Sequence, residues 1–297
     1  MELRLTLLCL ILGLFACQSN TISENTRIGQ LTATLAANPT KANRAALIAA
    51  YRDTINAKPN AVKVNTAHFS KIAELYLANK EPRAAVQMLM QGIKAYPNVD
   101  GVAEKVWQIA DIYQQQLQRS KVAITVKKLY AQTFGKGAQF AAAQKVATEQ
   151  PVSIAQDITD LGSSMYDETT HKVDNQAADD YITICELFAL LKPADPQSPE
   201  YLHKAGETAR AVRVFPKAIE IYDKIYTNYP DYDKAAQALF LKAFTYDNDI
   251  GDKTTAKALY EEFLQKYPND DFADDTQFLL DNLGKNDEEI IKGFSER

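Results

Sequence analysis

Histidine, cysteine and tryptophan are scarce in this chain: 297 residues hold three, three and one of them. So few cysteines exclude a disulfide-stapled scaffold. His68, His171 and His203 lie far apart and none stands in His-Glu-x-x-His spacing, so no metal is expected and each reads as a surface or groove histidine. Positive charge is in deficit too, since 33 Lys and Arg against 38 Asp and Glu give a net charge of −5 and a pI near 5.4. Without a cationic field to neutralise phosphates, no nucleic acid partner is expected. Phosphate-binding glycine loops and Gly-x-Ser-x-Gly are absent, and no acid, base and nucleophile converge, so neither catalysis nor a cofactor is expected. Asp247-Asn248-Asp249-Ile250-Gly251-Asp252 approaches a calcium loop. Counted from Asp247, however, glycine falls one place early and Ala258 stands where the glutamate belongs, so the segment reads as a turn with Asp252 capping the next helix.

What the chain does have is apolar material, 46% of its residues, with only 11 Gly and 11 Pro to interrupt it. That is enough for a sizeable core. Apolar residues recur at three and four, with no alternation long enough for a sheet, so the fold class is all-α. The start differs from the rest. Leu5 to Ala16 is apolar except for Thr6, about 18 Å of helix where a bilayer core needs about 30 Å. Residues 1–16 therefore read as an export signal peptide. Leu14-Phe15-Ala16-Cys17 resembles a bacterial lipobox, which implies that Cys17 is diacylated on sulfur and becomes the new N-terminus on cleavage, a membrane anchor of two or more acyl chains. Cys185, in the apolar stretch Tyr181 to Phe188, reads as a small buried hydrophobe.

Internal repetition organises the helices. Eleven residues beyond Ala85, Ala123, Ala177, Ala218 and Ala256 stand Tyr96, Phe134, Phe188, Tyr229 and Tyr267. The next positions are Pro97, Gly135, Ala189, Pro230 and Pro268. Twelve to fifteen residues before the same alanines stand Ala73, Ala110, Gly162, Gly206 and Ala243. Small residues on two neighbouring helices let the backbones cross closely. Leu89, Tyr181, Tyr222 and Tyr260 then fill the space beside the crossing, a series that Lys127 breaks, and proline ends the second helix. This pattern resembles the tetratricopeptide repeat family, most strongly over 60–135 and 199–268. The resemblance implies a TPR-type right-handed superhelix of antiparallel helix pairs.

The expected organisation is a signal peptide (1–16), N-terminal repeats (17–135), an irregular repeat with an extra helix over 138–149 and a Pro-rich connection (136–198), and C-terminal repeats with an acidic capping helix (199–297). Residues 247–297 carry 6 basic and 14 acidic groups, consistent with a cap whose carboxylates face a helix N-terminus.

Such repeats line an inner wall with first helices, suited to an extended peptide or a partner's helix. The groove positions on that face are Ser70, Glu74, His203, Glu207 and Arg210. The family's lysine and asparagine clamp for a C-terminal carboxylate is missing: Ser70 and Glu74 in one repeat, and His203 and Glu207 in another, occupy the matching positions. A lipobox joined to such repeats is similar to envelope lipoproteins that serve outer-membrane protein assembly, and the closing repeat also to periplasmic cell-division coordinators. The resemblance implies a non-catalytic adaptor, lipid-anchored in the bacterial envelope at the outer membrane's periplasmic face, with an envelope protein or peptide in its groove. A glycan- or peptidoglycan-binding lipoprotein is the alternative.

Overall fold

The computed structural model describes residues 26–167, 169–170, 172–286 and 288–289. Residues 1–16, expected to be a signal peptide, and Cys17 and His171 lie outside them. The described residues up to 130, with 134–144, form one compact unit, and 131–133 with 145 onward form a second.

In the first unit a helix over 26–37 (α1) precedes α2 (Lys41–Ala57), α3 (Val62–Ala78), α4 (Pro82–Ala95) and α5 (Val102–Asp111), which runs on into a π-helical turn, Ile112–Gln116. Then comes α6 (Ser120–Thr133), most of which belongs to this unit. Local chemistry sets the helix starts. The Thr40 hydroxyl accepts the Asn43 N–H at 3.1 Å, and Pro82 occupies the first turn of α4, where an N–H would go unpaired anyway. Successive helices α2 to α5 pack each against the next, and Trp107 of α5 meets Tyr130 of α6 edge-on at 5.6 Å. Ala73, Ala85, Ala110 and Ala123 are all buried at these crossings, with Leu89 and Tyr130 beside them.

The extra helix α7 spans Phe140–Glu149, starting two residues later than the sequence pattern suggests. The second unit continues with α8 (Ile154–Ser163), a two-residue ribbon of β1 (Tyr166–Asp167) and β2 (Lys172–Val173), and α9 (Asn175–Leu191). The tandem pairs follow: α10 (Gln197–Ala211) with α11 (Phe215–Asn228), and α12 (Ala235–Phe244) with α13 (Lys253–Lys266). A second π turn, Thr245–Ile250, extends α12, and α14 (Ala273–Asp281) follows with Asp274 and Asp275 in its first turn. Asp252 caps α13 as expected, its carboxylate accepting the Thr255 N–H at 3.1 Å. Tyr96, Phe134, Tyr229 and Tyr267 each end a second helix, donating their N–H to the carbonyl four residues back.

At α9 the crossing keeps the expected phase: a Cβ on Gly162 would lie 3.0 Å from the Tyr181 ring, and Tyr181 and Ile184 are buried. The end of the helix differs from the other pairs, since α9 runs past Phe188 to Leu191, with Pro193 two residues on, and Ala178 is fully buried beside the half-buried Ala177. The ribbon between α8 and α9 accounts for the longer spacing from Gly162 to Ala177.

The π turns account for a smaller irregularity. Ala73 to Ala85 and Gly206 to Ala218 are 12 residues apart, while Ala110 to Ala123 and Ala243 to Ala256 are 13. The two 13-residue pairs are those whose first helix ends in a π turn. Widening one turn absorbs the extra residue, so the second helix starts in the same relation to the crossing. A left-handed residue then turns the chain in all four pairs: Lys80, Gln118, Arg213 and Gly251, each two residues before the next helix.

Candidate functional site

In the first unit the face built by first helices α3 and α5 holds a cavity of about 170 Å³. Its floor is Leu89 of α4, its apolar walls are Leu77 and Ile112, and Ser70, Glu74 and Asp111 stand at its polar side with Gln108, Gln115 and Gln116. Two of the groove positions read from the sequence, Ser70 and Glu74, thus line one cavity. Glu74 accepts a 2.8 Å bond from Lys71 at the exposed rim, which raises the Lys71 pKa. Burial raises the Asp111 carboxyl above its ordinary value, against the opposing pull of Lys127 and a bond from Trp107. Lys127, which breaks the bulky series, holds its ammonium 5.4 Å from the centre of the Trp107 ring.

The second unit repeats this layout 133 residues later, with Gly206 for Ala73, Tyr222 for Leu89 and Arg210 for Leu77. Here a larger ring stands at the floor. Tyr222 is fully buried, as Leu89 is, and a Cβ on Gly206 would lie 2.6 Å from its ring. Arg210 Nε donates to Asp249 Oδ2 at 2.5 Å, and its guanidinium lies 4.8 Å from the centre of the Phe244 ring. Arg210 is therefore held by its own unit, while Glu207 stays exposed. His203 corrects the sequence reading: it is 3% exposed, its Nδ1 3.4 Å from Glu207 Oε2 and its ring beside that of Tyr232. Sequence spacing located its helix face, and the cover supplied from Tyr232, in the connection before α12, gave no sequence signal. His68 is half-buried as well, its ring 4.8 Å from that of Tyr51, and burial lowers its pKa.

A carboxylate held by three donors, which sequence reasoning missed, belongs to Glu200, one turn before His203 on α10. Glu200 Oε2 accepts from Tyr232 Oη at 2.5 Å and from Lys234 Nζ at 3.0 Å, and Lys204 Nζ lies 3.4 Å from Oε1. The Tyr232 bond is the main cause of a Glu200 pKa lowered to about 2. Only the Glu200 and Lys204 pairing, one helical turn apart, was legible in the sequence.

Cys185 is buried with a free thiol, its pKa pushed up to about 12 by burial. Among the described residues no three His, Cys, Asp or Glu side chains are grouped to hold a metal ion, and no helix is long and apolar enough to cross a membrane.

No curated protein matches the chain. The tetratricopeptide repeat family matches residues 237–270, which span most of α12, its π turn and α13. That match falls on the pair anchored by Ala243 and Ala256, and the neighbouring pairs repeat its small-residue crossing. The chain is thus an all-α protein of packed helix pairs carrying a tetratricopeptide repeat at residues 237–270.

Proposed function

We propose that this protein is a non-catalytic adaptor of the bacterial cell envelope, held by a lipid on Cys17 at the periplasmic face of the outer membrane, whose first-helix faces recruit another envelope protein. The observation that supports a recruiting role is the cavity between α3 and α5, on the face that tetratricopeptide repeats present to peptides. The lipobox Leu14 to Cys17 supports the address. Assistance to outer-membrane protein assembly is the specific role that the sequence resemblance favours.

The test is crosslinking from intact membranes, with a photoreactive residue at Gln115 and the native Cys17 retained. Specific adducts with envelope proteins are expected. Retention on polysaccharide without any protein adduct would favour the glycan reading, for which Tyr166, 48% exposed in the ribbon, is the supporting observation. Cys17→Ser is expected to release the protein from membranes, and persistent binding without acyl label would remove the address.

A further inference from the structure

The two units differ at corresponding positions. Between α10 and α12 the space is spanned by the chain's own guanidinium: Arg210 extends from the α10 face, passes over the Phe244 ring and bonds Asp249. Between α3 and α5 the residue at the Arg210 position is Leu77, whose side chain is shorter and uncharged, and a cavity of about 170 Å³ remains. A cavity of about 150 Å³ accommodates a ligand the size of benzene. The open cleft has its own means of holding a guanidinium. Leu77, over the buried Leu89 and Ile112, offers apolar surface to an arginine stem, and Glu74 and Asp111 offer carboxylates at the polar side. Lys71 meets Glu74 through an exposed ion pair, which competes weakly, and Asp111 accepts one bond from Trp107 with Lys127 nearby over that ring, leaving its remaining acceptor capacity for a guanidinium.

We propose that the α3–α5 cleft receives an arginine side chain from a partner protein in the space corresponding to the one that Arg210 spans in the second unit, with Glu74 and Asp111 as its carboxylates where Asp249 serves Arg210. The inference rests on the adaptor reading and adds the chemistry of what is recruited: a segment bearing a basic side chain that inserts between Glu74 and Asp111.

The test uses the full chain solubilised in detergent and degenerate synthetic peptide pools whose central residue is fixed as arginine, citrulline, leucine or glutamate. Citrulline keeps the shape of arginine and removes its charge. The arginine pool is expected to be retained about tenfold more than the citrulline pool. Two variants locate the effect. Leu77→Arg with Gln116→Asp copies the Arg210 and Asp249 arrangement and should close the cleft to peptides. Glu74→Gln with Asp111→Asn leaves the cleft open and should abolish the preference for arginine over citrulline. Melting curves check that each variant folds, and the second changes only polar groups, so the inference remains testable if the first does not fold. Equal or better retention of the citrulline, leucine or glutamate pools overturns the inference, as does an arginine preference unchanged in both variants or no retention of any pool. The photoreactive residue at Gln115 separates the two readings: protein adducts that persist in Glu74→Gln with Asp111→Asn keep the adaptor and remove the basic side chain, whereas no protein adduct removes the adaptor.

Discussion

The ring of Tyr222 occupies the space that a side chain on Gly206 would take, its Cε1 2.6 Å from where a Cβ would stand. Glycine on the first helix and tyrosine on the second are one choice, made jointly. The equivalent pair in the first unit, Ala73 and Leu89, divides the same space differently. Gly206→Ala is expected to cost about 1–3 kcal/mol by overpacking, measured by denaturant unfolding. Adding Tyr222→Leu, which copies the first unit, should recover part of that loss, so that the two changes together cost less than their sum. Tyr222→Phe is expected to be nearly neutral, because the Tyr222 hydroxyl is buried with no hydrogen-bond partner.

The turn inside each helix pair asks one residue to adopt positive φ, and only Gly251 is glycine. Lys80, at φ 61°, is exposed and has a Cβ that disfavours this conformation. Lys80→Gly should therefore raise stability by about 0.5–1 kcal/mol, the strain relieved exceeding the entropy that glycine adds to the unfolded chain. Gly251→Ala should lower it by about 1 kcal/mol. Urea midpoints of the two variants moving in opposite directions would check both; a shift of the same sign would break the equivalence of the four turns.

How much of this could be read in the sequence follows from where each cause lies. Small residues at Ala85, Ala123, Ala218 and Ala256 are visible because backbone approach tolerates little else, and aromatic helix ends recur with them. The π turns were visible only as a spacing of 13 in place of 12, an irregularity with no residue type attached. At the groove positions, Ser70 and Glu74 could be placed because their helix face alone decides where they stand. His203 and Arg210 could not, because their surroundings come from Tyr232 and Asp249, far along the chain. The same holds at Asp247, whose carboxylate accepts from Tyr260 Oη at 3.1 Å and from Lys253 Nζ: an apparent metal-loop acid is a packing partner.

Glu200 gives the second unit a defined acid response. Its folded pKa lies near 2, below the ordinary value of 4.5, so the folded state binds its proton more weakly than the unfolded chain does. Its contribution is fully present above pH 4.5 and is lost as the pH falls toward 2. Glu200→Gln should lower stability at pH 7 and flatten the fall of stability across that window, the difference between the proteins narrowing as the solution is acidified. Denaturant midpoints of the two proteins across the acid range provide the check. Parallel curves would mean that Tyr232 and Lys234 do not hold this carboxylate in solution.

Thiol chemistry tests the core and the anchor together. Cys185 is sealed in α9 and its pKa stands at about 12, so at pH 8 only about one molecule in ten thousand carries the thiolate, and reagents cannot reach it without opening the helix packing. The native protein purified from membranes should accordingly give no fast-reacting thiol. In denaturant the count depends on the N-terminus. A chain cleaved before an acylated Cys17 retains Cys185 as its one free thiol, whereas a chain that keeps residues 1–16 and an unmodified Cys17 exposes all three cysteines. The expected outcome is silence in the native state and one thiol per chain on unfolding. Fast native labelling with one thiol on unfolding would contradict the burial of Cys185, and three thiols on unfolding would contradict the proposed lipid anchor while leaving the helix pairs as described.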